Sequence, residues 1–331
     1  MGSRPRLKQH LRPLRRGDGR VQLGVDPATG VLLEGLCEAE VELLERLDGS
    51  LDEVAAVRWA SERGVAPERV SALLATLREH ALTVEAPAHR FDVAGLPAPV
   101  RASLGPDAEA LTCAYGRDDD GYAVLGRRSR QGVLVDGCGG LPSALSQVLR
   151  QAGVGRVTSG RYAAAASPSP APDLVVLAGV DALDPSRAAG LMRAGTPHLP
   201  LVLRGPGAEV GPLVRPGTTP CLRCLDLTRA DLDPAWPAVL AQLTRPALGP
   251  PPETSGETSL VHAVAGLAAM LVLRALDGQG IVPGMSLEVG LRPPHVEQHI
   301  WPAHPQCPCS RTDLVCRPAA PSPGGQATMA G

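Results

Sequence analysis

Gly132-Val133-Leu134-Val135-Asp136-Gly137-Cys138-Gly139-Gly140-Leu141-Pro142-Ser143 is an apolar run that stops on a glycine turn. The run reads as a strand buried on both faces, and the turn leads into a helix from Ala144 to Gln151 that ends at Gly153. The pattern recurs downstream. Pro172-Asp173-Leu174-Val175-Val176-Leu177-Ala178 and Leu199-Pro200-Leu201-Val202-Leu203 are further buried strands, with a helix over 185–194 between them, and another strand follows Gly155. Strands alternating with helices predict an α/β domain with a doubly wound, mostly parallel sheet, beginning near residue 100. In such folds the glycine turn after the first strand receives phosphates, because free backbone N–H groups and a helix N-terminus attract anions. Gly137, Gly139 and Gly140 are therefore candidate nucleotide-binding residues.

Further along stand two cysteine pairs, Cys221-Leu222-Arg223-Cys224 and Cys307-Pro308-Cys309. Four thiolates arriving as two close pairs, a domain's length apart, suit a tetrahedral Zn²⁺ that clips two segments together. With four sulfur ligands the metal has no open position, so its role is structural. A redox dithiol at Cys221 and Cys224 and a set of unrelated buried cysteines stay open as other readings. His304 is an alternative ligand should the tight Cys307/Cys309 pair supply only one sulfur.

The 331 residues carry a formal net charge of −2, and the aromatic residues amount to one Phe, three Tyr and three Trp. That balance gives no general polyanion affinity and no base-stacking platform. No apolar signal segment is read at the start, which places the cysteines in a reducing cytoplasm, where metal is favoured over disulfide. The most apolar run, Leu260 to Leu276, contains His262 and Arg274 and reads as a helix buried against a sheet, with no membrane partner. Lys8 is the only lysine.

Residues 1–20 contain Arg4, Arg6, Lys8, Arg12, Arg15, Arg16 and Arg20 and read as a solvated basic tail. Residues 21–36 turn through Asp26-Pro27-Ala28-Thr29-Gly30 as a β-hairpin. Three helices follow: one with Val41, Leu44 and Leu47 on a single face, one from Leu51 to about Arg63, and one led by Ala66-Pro67-Glu68 with Val70, Leu73, Leu74 and Leu77 at helical spacing. Leu82-Thr83-Val84 returns as a short strand, so residues 21–86 predict a small winged-helix-like domain. Its third helix offers only Arg69 and Arg78 as cations beside Glu68 and Glu79, a poor surface for nucleic acid. Residues 87–100 read as a linker, 101–312 as the α/β domain, and 313–331, rich in Pro, Ala and Gly, as a disordered tail. Cys316 reads as a free thiol.

The strand and turn from Val133 to Leu141, the segments Ala152–Val157 and Pro172–Val176, and above all Gly217-Thr218-Thr219-Pro220-Cys221-Leu222-Arg223-Cys224 resemble the ThiF/MoeB superfamily of ubiquitin-activating-type adenylyltransferases. With the winged-helix-like domain in front, the whole chain is most similar to the ThiF-like leader-peptide-binding proteins associated with azole-forming cyclodehydratases; Asp231–Pro237 and His304–Cys309 share that likeness. The resemblance implies a Rossmann-like ThiF-type domain, a homodimer, and a peptide or small-protein partner with a cyclodehydratase-type enzyme nearby. In the family at large it implies MgATP and adenylation of a carboxylate, with Asp181 the position matching the Mg²⁺ aspartate.

The chain departs from that pattern. Pro142 stands where the family usually has glycine, the strand from Arg156 to Arg161 lacks the ribose-binding acid, and only residues 162–171 replace the segment carrying the phosphate-binding Arg and Lys. No cysteine lies between Cys224 and Cys307 to form a thioester, and Cys138 reads as a small buried residue. Three readings follow: a degenerate zinc-containing scaffold that binds a peptide or partner enzyme without adenylating; an active adenylyltransferase in which Arg156, Arg161 or Arg187 replaces the lysine; and a winged-helix DNA-binding regulator. The first is favoured, because a whole phosphate-binding segment is absent.

Overall fold

The computed structural model describes residues 3–26, 30–85, 103–115, 121–160, 170–245 and 253–310. The expected linker at 87–100, Arg161, Cys316 and the tail 313–331 lie outside the described residues. The chain divides into two compact units. One comprises Met1–Val133, Ser146–Thr158 and Leu273–Gln279; the other comprises Leu134–Leu145, Ser159–Val272 and Gly280–Gly331. Compactness thus draws residues 103–133 into the first unit, well past the linker.

In the first unit β1 (Pro5–Leu7) pairs with β5 (Thr83–Glu85), and β2 (Pro13–Gly17), β3 (Arg20–Leu23) and β4 (Val31–Leu33) form an antiparallel sheet. The expected hairpin is present, with Val21 opposite Leu33 and Leu23 opposite Val31. The expected helices are α1 (Glu38–Glu45), α2 (Glu53–Ser61) and α3 (Pro67–Glu79). Val41, Leu44, Leu47, Val70, Leu74 and Leu77 are all buried in one core with Val21 and Leu23. The Asp52 carboxylate caps α2 by accepting from the Ala55 N–H at 2.7 Å.

The basic stretch 1–20 is not a solvated tail. Leu7 and Leu11 are buried, which anchors β1 and the turn after it, while the arginines of β2 face outward. Asp18 and Gly19, both at positive φ, make the tight turn from β2 to β3. A side chain at Gly19 would meet the Leu36 carbonyl at 2.5 Å, so glycine is required there twice over. Lys8 is buried in this unit.

The second unit holds most of a seven-stranded sheet of order β12-β11-β10-β9-β8-β6-β7. Its strands are β6 (Gly132–Asp136), β7 (Arg156–Gly160), β8 (Leu174–Val180), β9 (His198–Arg204), β10 (Gly207–Val210), β11 (Met285–Leu291) and β12 (Pro294–Ile300). β8 and β9 are parallel, whereas β9, β10, β11 and β12 run antiparallel to one another in turn. The sheet is therefore mixed, where a mostly parallel one was expected. The difference comes from the tight Gly205-Pro206 turn after β9, which returns the chain at once along the same edge instead of crossing over through a helix. The helix Thr258–Leu276 is long and apolar enough to cross a membrane by length and composition, and 44% of its most apolar 18-residue stretch is buried. Its buried face carries Val261, Val264, Ala265, Ala268 and Val272.

His198, first in β9, is fully buried; its Nδ1 lies 3.0 Å from the Thr196 carbonyl and its Nε2 has no partner. Burial lowers its pKa below 6.5, because an imidazolium there would hold an unsatisfied N–H. The unfolded chain takes up this proton as pH falls through 6.5, while the folded chain does not until lower. Stability should therefore be intact above about 6.5 and fall by up to ~1.4 kcal/mol per pH unit below it. Urea midpoints measured from pH 7.5 to 5 should fall more steeply for the wild type than for His198→Leu; parallel slopes would contradict this.

Candidate functional site

The four cysteines come together. Cys221 starts the helix Leu222–Leu232, Cys224 lies in its first turn, and Cys307 and Cys309 lie in and beside the closing turn Pro308–Ser310. Their four sulfurs all lie within 4.8 Å of one another, and Cys221, Cys224 and Cys307 are buried. The Cys221 and Cys307 sulfurs are 3.6 Å apart, and those of Cys224 and Cys309 are 3.3 Å apart. A tetrahedral site with metal–sulfur bonds of ~2.3 Å places its sulfurs about 3.8 Å apart. The set can hold a metal ion and is compatible with zinc.

Local structure explains this convergence. The Cys224 N–H bonds the Cys221 carbonyl, and the Cys307 N–H bonds the His304 carbonyl, so each pair is presented by a tight turn. His304 is not in the cluster: its buried ring turns Nε2 to the Asp231 carboxylate at 2.9 Å, and its Nδ1 accepts from the Gln306 N–H at 3.2 Å. It braces the turn that presents Cys307. Burial pushes the Cys221 thiol up to about 11. Burial, with hydrogen bonds among the neighbouring thiols, pushes Cys309 far up as well. Burial also acts to raise Cys224, but the His304 and Cys221 backbone and the facing thiols outweigh it and lower that thiol.

The glycine turn presents a different picture. The helix Gly140–Gln151 begins on it, and the N–H groups of its first turn are the ones a phosphate would use. The Gly140 N–H donates to Ser255 Oγ at 3.0 Å, the Leu141 N–H to the Thr254 carbonyl at 3.0 Å, and the Ser143 N–H to the Gly139 carbonyl. Pro142 has none. The Thr254 N–H in turn donates to the Cys138 carbonyl at 2.8 Å. A side chain at Gly139, whose φ is +108°, would lie 2.7 Å from Ser255 Oγ and 2.9 Å from the Thr254 nitrogen. Gly139 is thus required by the close approach of Glu253-Thr254-Ser255, a segment to which the sequence reading assigned no part.

Two of the candidate nucleotide-binding arginines are engaged too. Arg187 donates to the Asp136 carboxylate at 2.8 Å and to its carbonyl, which ties the end of β6 to the helix Pro185–Ala194. The Arg156 guanidinium lies against Gly132. Asp181 is exposed at φ +60°, and its backbone bonds Leu203 and Arg204. A cleft of about 310 Å³ lies elsewhere in this unit, lined by residues including Arg204, Glu209, Arg229, Glu288, His299 and Trp301. Arg229 holds Glu209 through both carboxylate oxygens, at 2.9 and 3.1 Å, and packs on the rings of Trp236 and Trp301. Burial raises the Asp226 pKa although its carboxylate accepts from Trp236 and faces Arg229. This network fastens the helix that Cys221 begins onto β10.

No protein-family model matches the chain, and no curated protein matches it. Solved structures do. A heterocyclase in complex with substrate and cofactor superposes with a TM-score of 0.65 at 18% identity, over 95% of this chain and 40% of that one. The heterocyclase TruD gives 0.66 at 18%, over 93% and 42%. MccB of E. coli, bound to AMPCPP and MccA, gives 0.63 at 14%, over 92% and 98%. The chain therefore shares the fold of these heterocyclases and of MccB. It spans about two fifths of the heterocyclases' length and nearly all of MccB's.

Proposed function

We propose that this chain is a zinc-clipped, ThiF-like scaffold that receives a peptide in a peptide-modification system and does not adenylate it. The observation that carries the reading is the glycine turn, whose first-turn N–H groups are occupied by Thr254, Ser255 and Gly139 or missing at Pro142. Asp136 is engaged by Arg187, one of the arginines that would have replaced the absent lysine. The four cysteines supply the zinc clip, and its reduced thiols suit the cytoplasm.

The peptide would enter at the winged-helix-like unit by adding a strand to an open sheet edge. β3 is enclosed by β2 and β4, and β2 is flanked by α1 through Arg15, which pairs with Glu38 and Glu45. β4 (Val31–Leu33) is the edge that remains, and the half-exposed Leu32 lies on it. The heterocyclase and MccB folds, some of them solved with substrate or MccA, support a peptide partner beside a cyclodehydratase-type enzyme. DNA binding is disfavoured because Arg69 is held by Glu40 and Gly35, and Arg78 by Glu53.

One observation favours the adenylating reading: MccB, matched over 98% of its length, has been solved with AMPCPP. Calorimetric titration with MgATP followed by pyrophosphate exchange decides between the two. Silence in both is expected; binding with exchange would overturn the scaffold reading. A peptide selected from a displayed random library should bind at least tenfold more weakly to Leu32→Pro, since proline removes an edge N–H. Unchanged binding would move the peptide away from β4.

A further inference from the structure

The cleft of about 310 Å³ has no part in the function proposed above, and every residue that lines it belongs to the second unit. Strand register shows how it forms. Arg204 stands opposite Gly207, and Glu209, on the same face as Gly207, stands opposite Glu288. Gly207 has no side chain to fill the space between these charged groups. Ligand sites begin at about 300 Å³, so the hollow suits a small molecule and not a folded partner.

The charges around it are unevenly answered. Glu209, Glu288 and Glu297 form one row across β10, β11 and β12, and like charges directly opposite each other destabilise a sheet. Glu209 takes Arg204 at 2.8 Å and Arg229 at 2.9 Å. Glu288 has neither arginine: its side chain is 59% exposed, and it pairs with His299 Nε2 at 3.3 Å. A cation placed there would offset the repulsion. Arg204 offers the opposite. It spends Nε on the Asp181 carbonyl at 3.1 Å and Nη1 on Glu209, and a guanidinium carries more N–H donors than these, so its exposed head has others to give an anion. Trp301 adds an aromatic wall. Its Nε1 donates to Ser286 Oγ at 2.9 Å, which fixes the half-buried indole, and Arg229 packs on the ring.

We propose that the cleft binds a free aromatic α-amino acid, with its ammonium at Glu288, its carboxylate at Arg204 and its ring against Trp301. Arg204 reaches Glu209, and Glu288 faces Glu209 across about 5 Å, so the two charges that the ligand needs lie close enough for groups joined through one carbon. A nucleotide or other polyanion would set its phosphates against Glu209 and Glu288. A simple amine would leave the Arg204 donors unused. The zwitterion meets both, and an aromatic side chain gains an offset or edge-on contact with the indole. The site is independent of whether the chain adenylates a peptide.

Calorimetric titration of the full chain with L-phenylalanine should give saturable binding, with a Kd of about 1 mM or tighter. N-acetylphenylalanine, which lacks the ammonium, and phenylalaninamide, which lacks the carboxylate, should each bind at least about tenfold more weakly. L-leucine should bind about threefold more weakly, because it has no ring to stack. Glu288→Gln alters an exposed side chain and should fold as the wild type does. In this variant L-phenylalanine should lose about tenfold in affinity, whereas N-acetylphenylalanine should bind as it does to the wild type, since the group that Glu288 recognises is already gone. A titration without saturation at about 10 mM overturns the proposal. So does Glu288→Gln that binds L-phenylalanine like the wild type, or either blocked analogue matching the amino acid. L-leucine binding as tightly as L-phenylalanine would remove the ring from Trp301 and refute the aromatic assignment.

Discussion

Under the zinc-clip reading, Cys221→Ser or Cys309→Ser should abolish metal binding and lower the melting temperature by about 10–20 °C. Loss of a structural metal belongs among the largest single-substitution effects, on the order of 4–5 kcal/mol. Each kcal/mol is worth about 2–4 °C in a domain of this size. The size of the effect follows from what the cluster joins. Cys221 and Cys224 begin the helix that carries Asp226, Arg229 and Asp231, and Cys307 and Cys309 end the segment that carries Trp301 and His304. Besides the metal, these segments share the Arg229 stack on Trp301, the His304–Asp231 pair and an apolar cluster that includes Leu225, Leu227 and Trp301. The redox reading predicts something else, a bond inside the pair Cys221/Cys224, whereas Cys221 hydrogen-bonds Cys307 and Cys224 hydrogen-bonds Cys309. Metal analysis beside thermal unfolding checks the claim: a wild type without metal, or a variant melting within 2 °C of it, would sink the clip.

What could be read from the sequence was whatever local pattern encodes. The runs at 133–135, 174–180 and 199–203 are apolar throughout, so burial on both faces named them as strands. The cysteine spacing named the cluster for a similar reason, since few arrangements of four thiols have that form. β12 was illegible because none of its residues is buried, so neither alternation nor an apolar run marks it. β1 and β2 were hidden behind their arginines, although Asp18-Gly19 is a hairpin signal that could have revealed them. The occupied glycine turn could not have been found locally, because Ser255 lies 115 positions from Gly140. A glycine that admits a phosphate and one that admits a neighbouring loop look alike in sequence.

The same blindness to long separations hides the pair with the second large expected effect. Asp277→Ala should destabilise the protein by about 3–5 kcal/mol. Arg128 and Asp277 stand 149 positions apart, yet Arg128 Nε donates to one carboxylate oxygen of Asp277 at 2.7 Å and Nη2 to the other at 2.5 Å, with side chains 4% and 1% exposed. Arg128 Nη1 also donates to the Ala152 carbonyl at 3.2 Å, at the end of one helix, and the Asp277 N–H closes the last turn of another onto Leu273. Removing the carboxylate strands a buried guanidinium, whose desolvation cost is no longer offset. The pair as a whole is a different matter, because the attraction only roughly repays the desolvation of both ions. Arg128→Met/Asp277→Leu should therefore recover most of the stability that Asp277→Ala loses, leaving a deficit of about 1–2 kcal/mol for the bond to Ala152. Chemical denaturation of the two variants beside the wild type separates the cases. A double variant as unstable as the single one would mean that the pair contributes net stability, and that hydrophobic packing cannot take its place.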